Sequence, residues 1–111
     1  MAYRWLWMIF IETPIFTKEI QKYLTDEQLR MLQSALALRP DAGDLIPGSG
    51  GLRKIRWAGE GKGKRGGLRI IYYIDHPDTI YLLLPYKKSK KEDLSREQIK
   101  MLRKLIEEYL K

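Results

Sequence analysis

The chain contains no cysteine and a single histidine, His76, among its 111 residues. The missing thiols exclude a disulfide scaffold, a thiolate zinc site, an iron–sulfur cluster and a cysteine nucleophile. One imidazole leaves few ways to build a Ser-His-Asp triad, a histidine zinc site or a two-histidine ribonuclease. His76 also stands in the turn-like segment Asp75-His-Pro-Asp78, where a solvated ring is expected. Long hydrophobic runs are absent too. Trp5-Leu-Trp-Met-Ile-Phe-Ile11 is seven apolar residues, far short of the ~20 that cross a bilayer. Arg4 in front of it resembles the start of a signal peptide, but Glu12-Thr-Pro follows without a small-residue cleavage site. A buried strand in a cytoplasmic protein is the expectation.

What is present is a core and a localised positive charge. Hydrophobic residues make up 44% and charged residues 32%, enough for one compact domain spanning residues 1–111. Lys and Arg total 21 against 14 Asp and Glu, a net charge of +7. That excess is not spread evenly. Residues 1–52 carry a net −1 and residues 92–111 a net of zero. Between them, residues 53–91 set eleven basic side chains against Glu60, Asp75 and Asp78, a net of +8. Like charges gathered in one stretch repel, so a function involving an anionic partner explains them better than solubility does.

Capping signals and periodicity order the elements. Thr13-Pro14 reads as an N-cap with proline at the first helical position, followed by Phe16, Ile20, Tyr23 and Leu24 on one face. Thr25-Asp-Glu-Gln28 is a capping box opening a second helix that Pro40 ends. A glycine-rich loop follows over residues 41–51. Three strand-like runs come next, Leu52–Trp57, Leu68–Ile74 and Ile80–Leu84, the last two joined by the turn at residues 75–78. Ser95-Arg-Glu-Gln98 caps a final amphipathic helix. The order β-α-α-β-β-β-α predicts an α+β fold with a mainly antiparallel four-stranded sheet and its helices packed on one side.

The segment Gly59-Glu-Gly-Lys-Gly-Lys-Arg-Gly-Gly67 contains G-x-G-x-x-G. A dinucleotide site would need a helix after it, whereas β-branched and aromatic residues follow. A basic turn between two strands fits better, with Lys62, Lys64 and Arg65 available to phosphates. Strand alternation puts Lys54 and Arg56 on one face of the first run, with Arg69 able to lie across from them. Lys87, Lys88, Lys90 and Lys91 leave the end of the third run. Few carboxylates accompany these cations, so neither a two-metal nuclease site nor any cofactor is expected. A lysine crowded by cations is driven toward its neutral form and can act as a base. Arginine stays charged and can stabilise a pentavalent phosphorane. With RNA as substrate the adjacent 2′-OH is a ready nucleophile, so the residues describe either a metal-free ribonuclease or a plain RNA binder.

Three blocks carry a family resemblance: Gly50-Gly-Leu-Arg-Lys-Ile-Arg56, Gly61-Lys-Gly-Lys-Arg-Gly-Gly-Leu-Arg-Ile-Ile-Tyr-Tyr73, and Tyr86-Lys-Lys with Asp93-Leu-Ser95. Together they resemble the HigB branch of the RelE/ParE-like toxins. The resemblance implies the small fold of those toxins and a type II toxin–antitoxin system. It also implies an mRNA endoribonuclease acting in the A site of the ribosomal 30S subunit, neutralised by a HigA-like helix-turn-helix antitoxin. By position it assigns Lys54 and Arg56 to proton abstraction and RNA positioning, Arg69 to transition-state stabilisation, and Lys88 to protonation of the leaving 5′-oxygen. Arg53, Lys62, Lys64, Arg65, Lys87, Lys90 and Lys91 become RNA contacts, and Tyr86 a stacking platform for a base.

Two other readings fit the residues. A ParE-like inhibitor of DNA gyrase shares the fold but does not require a cationic nuclease groove. A non-catalytic RNA- or ribosome-binding module shares the charge and the aromatics, and only turnover separates it from the nuclease.

Overall fold

The computed structural model describes residues 2–5, 7–57, 67–88 and 93–111. In chain order the elements are β1 (Ala2–Trp5), β2 (Met8–Glu12), α1 (Pro14–Ile20), α2 (Asp26–Leu38), β3 (Asp44–Leu45), β4 (Arg53–Arg56), β5 (Leu68–Asp75), β6 (Thr79–Lys87) and α3 (Arg96–Leu110). The α+β class is as expected, with three helices and a mixed sheet.

The helix starts follow their caps. The Thr13 hydroxyl accepts from the Phe16 amide with Pro14 in the first turn. Reciprocal capping boxes are formed by Thr25 with Gln28 and by Ser95 with Gln98. Each satisfies donors that the first helical turn leaves without a partner.

The sheet is larger than four strands. Its order is β1-β2-β6-β5-β4-β3, and only the β2–β6 pairing is parallel. The expected single strand at residues 5–11 is a hairpin with Trp7 exposed in its turn. No Gly, Pro, Asn or Asp marks that turn, so turn chemistry gave no signal. β3 is two residues long, too short for any periodicity.

The helices do not share one side. Phe16 and Ile20 of α1 and Leu32, Leu36 and Ala37 of α2 pack with Phe10, Ile70, Tyr72, Ile80 and Leu82 on one face. Leu102 and Ile106 of α3 pack with Leu52, Ile71, Tyr81 and Leu83 on the other. Strands β5 and β6 are apolar at nearly every position because both of their faces are covered, which is what an unbroken hydrophobic run signifies.

Candidate active site

Strand alternation divides the basic residues of β4 between the two faces. Arg53 pairs with Tyr72, whose side chain lies in the α1/α2 core. The Arg53 guanidinium donates to the Gly43 carbonyl at 2.6 Å and the Asp41 carbonyl at 3.4 Å. The Tyr72 hydroxyl accepts from the Gly43 amide at 2.8 Å and donates to the Pro40 carbonyl at 2.7 Å. Burial raises the pKa of that phenol, the nearby amide and Arg53 acting in the opposite sense. Arg53 and Tyr72 together tie down the loop after α2, away from the other cations.

Lys54 and Arg56 emerge on the α3 face. Lys54 pairs with Ile71, and Arg56 stands directly opposite Arg69. Like charges opposite one another weaken a sheet by ~0.2–1 kcal/mol, so this Arg–Arg pair is not a stabilising device. Arg69 is flanked on its other side by Tyr86. Its Nη1 is buried and has no hydrogen-bond partner among the described residues, an arrangement that an anionic group would complete.

A bulge brings Tyr86 to this face. Ile71 pairs with Leu84 but Tyr72 with Leu82, so Leu83 is an extra residue on β6. Before it, Ile80 and Leu82 point toward α1 and α2; after it, Leu84 and Tyr86 join the α3 side. Without the extra residue, strict alternation would carry Tyr86 to the opposite face. The bulge thus aligns the end of β6 with Arg69, Arg56 and Lys54.

Asp93 completes the cluster. Its Oδ2 lies 3.0 Å from Lys54 Nζ. Its Oδ1 accepts from the Tyr86 hydroxyl at 2.7 Å and from the Leu94 amide at 3.0 Å. The Tyr86 bond, followed by those from Lys54 and Leu94, lowers the Asp93 pKa to about 2 against an opposing desolvation effect. Burial, reinforced by the carboxylate it bonds, raises the Tyr86 pKa. The phenol therefore stays protonated as a donor. Lys54 consequently faces a carboxylate as well as cations, unlike the all-cationic crowd expected from the strand pattern. Sequence reading did not single out Asp93 as a site residue. Its signals are its place in the Asp93-Leu-Ser95 block of the resemblance, two residues after the last lysine of the basic run and two before the Ser95 cap.

The other expected residues fall into three groups. Lys88 is half-buried at the end of β6, its amide donating to the Gly67 carbonyl at 2.7 Å. A β-carbon at Gly67 would come within 2.6 Å of the Lys88 carbonyl oxygen, so glycine is needed where the two strand ends meet. Lys87 pairs with Leu68 and is exposed on the side opposite Tyr86. Lys62, Lys64, Arg65, Lys90 and Lys91 lie outside the described residues. His76 is exposed in its turn, and no three His, Asp or Glu side chains converge as a metal site among the described residues. No described helix is long and apolar enough to cross a membrane.

The arrangement is a half-open sheet face with Lys54, Arg56 and Arg69 side by side, a protonated tyrosine and one carboxylate. The family model of the RelE toxin of the RelE/RelB toxin–antitoxin system matches residues 9–111. That match runs through every described strand of the cationic cluster. The chain belongs to the RelE toxin family, whose members act within toxin–antitoxin systems.

Proposed function

We propose that this protein is a HigB-like toxin, a single domain over residues 1–111 that cuts mRNA in the ribosomal A site without a metal ion. The observation that carries this reading is Arg69: a buried guanidinium nitrogen between Arg56 and Tyr86 with no hydrogen-bond partner among the described residues. A phosphate is the complement such a group lacks. The 2′-oxygen attacks the adjacent phosphorus, the bond from phosphorus to the 5′-oxygen breaks, and a 2′,3′-cyclic phosphate and a 5′-hydroxyl result. On the 2′-OH side Lys54, as the free amine, takes up the proton, and the always-charged Arg56 guanidinium holds the strand. Arg69 stabilises the charge that develops on the phosphorane. Lys88 delivers a proton to the leaving 5′-oxygen. Tyr86 packs beside the reacting nucleotide, and the exposed Lys87 with the lysines and arginine of the two basic segments grips RNA.

The partner in this reading is a HigA-like helix-turn-helix antitoxin, and the setting is the cytoplasm. The test is purified protein added to ribosomes stalled on a defined message. Cuts confined to the A-site codon, insensitive to EDTA before the ribosomes themselves are affected and absent in Arg69→Ala, are expected. Binding without any cut leaves an RNA-binding module. DNA-damage signalling with intact mRNA after induction selects gyrase inhibition instead.

A further inference from the structure

We infer that Asp93 is a positioning residue for the cationic site, fixing Lys54 and Tyr86 around Arg69 while weakening RNA attraction through its own negative charge. The rate half of this inference rests on the nuclease reading; the binding half does not.

The geometry is specific. Lys54 comes from β4 and Tyr86 from β6, with β5 and Arg69 between them. One carboxylate reaches both, using one oxygen for the ammonium and the other for the phenol. Asp93 is itself held from behind by the Leu94 amide. Leu94 packs into the α3 core, and the Ser95–Gln98 box fixes the start of that helix. The brace therefore runs from a rigid helix to the heads of two side chains on separate strands.

Stability does not explain it. Lys54 and Asp93 are 28% and 44% exposed, and ion pairs so open to water contribute little. Order explains it better. A lysine head on a four-carbon stem samples many rotamers, and a tether confines it beside the position a phosphate takes in front of Arg69. The Tyr86 hydroxyl is likewise committed as a donor in one direction. The drawback is electrostatic. Asp93 is the one carboxylate bonded to the cluster among the described residues, with Asp44 across the sheet from Lys54 at the edge of the same groove. An acid placed there opposes the approach of a polyanion.

Asp93→Asn separates the two effects. Asparagine keeps a carbonyl oxygen for the Tyr86 hydroxyl and the Leu94 amide, yet removes the charge that holds Lys54. Two quantities are measured beside wild type: the cleavage rate on saturating programmed ribosomes, and the affinity for a short single-stranded RNA across a salt series. The expected result is opposite movement, with kcat down about tenfold and RNA bound several-fold more tightly at low salt. The slope of log affinity against log salt should steepen by about 0.7, as for one more effective phosphate contact on a single strand. General damage to the fold would lower both quantities and could not steepen that slope. Tyr86→Phe, which keeps the Lys54–Asp93 pair, should lower the rate and leave the slope unchanged. Unchanged kcat in Asp93→Asn, or weaker binding with an unaltered slope, overturns the inference. Wild-type protein that leaves programmed message uncut removes the nuclease reading and the rate half together, and the salt slope then decides the binding half alone.

Discussion

Arg53 and Lys54 are neighbours in the chain, and they end in opposite situations. On the α1/α2 face, Arg53 donates to two loop carbonyls and Tyr72 bonds at both its donor and its acceptor positions. On the α3 face, α3 covers Leu52, Ile71, Tyr81 and Leu83 but leaves the ends of β4, β5 and β6 partly open. There two arginines stand opposite each other, and Arg69 has a buried nitrogen with no partner among the described residues. The first face converts a cation into structure. The second keeps cations at a cost in stability, which is the pattern expected of a site awaiting an anion. Count and proximity of basic residues do not separate the two roles; the strand's two-residue period does.

Removing the Arg69 guanidinium should have the largest effect on chemistry and almost none on folding. Arg69→Ala is expected to lower cleavage by two to three orders of magnitude, about 3–4 kcal/mol of barrier, as for loss of one preorganised donor to a developing oxyanion. Its melting temperature should hold or rise slightly, because the repulsion with Arg56 disappears. Cleavage on programmed ribosomes and a thermal melt of the same preparation check both halves.

The other face should respond in the inverse way. Tyr72→Phe strands the buried Gly43 amide and the Pro40 carbonyl, so a loss of about 2 kcal/mol in denaturant unfolding is expected. Cleavage per folded molecule should not change. A fall in rate as large as the loss in stability would mean that the two faces are coupled. Ser95→Ala tests the helix that backs the cationic face. Losing that cap should remove about 1 kcal/mol and, by loosening the start of α3 behind Asp93, reduce the rate by a small factor.

How much of this was legible depended on whether the signal was local. Caps at Thr13, Thr25 and Ser95 are readable because an N-cap with proline after it, or a capping box, is written within four residues. The placement of Lys54, Arg56 and Arg69 on one face followed from alternation, and the register bears it out. The second covered face was written in the unbroken apolar runs of β5 and β6, although the one-sided packing expected of them missed it. The bulge was not legible. Leu82-Leu-Leu84 reads the same whether or not one leucine is extra, and only the pairing with Ile71 and Tyr72 shows which. The bonds of Arg53 to the loop are not legible, because its partners are carbonyls ten and twelve residues away without a sequence signature. The Asp93 bridge spans 39 residues to Lys54 and depends on that bulge for its Tyr86 half. Nothing local could announce it.

The smallest expected effect concerns acid stability and isolates the Asp93 brace from catalysis. In the folded chain Asp93 ionises at about 2, against an ordinary value of 3.8, chiefly through the Tyr86 bond. A carboxyl with a depressed folded pKa contributes its stabilisation in full above the unfolded value and loses it as pH falls toward the folded one. The contribution should therefore be present above about pH 4 and vanish between pH 4 and pH 2. Because the carboxylate is nearly half exposed, solvent and salt screening hold it to under about 1 kcal/mol. Wild type and Asp93→Asn should accordingly differ by a constant amount at neutral pH and converge through that acid window in urea unfolding. A difference that stays constant through that window would mean that the carboxylate is not held by Tyr86 and Lys54 in solution. The α3 face would then have no brace, and the order that distinguishes it from a loose patch of cations would have to come from bound RNA.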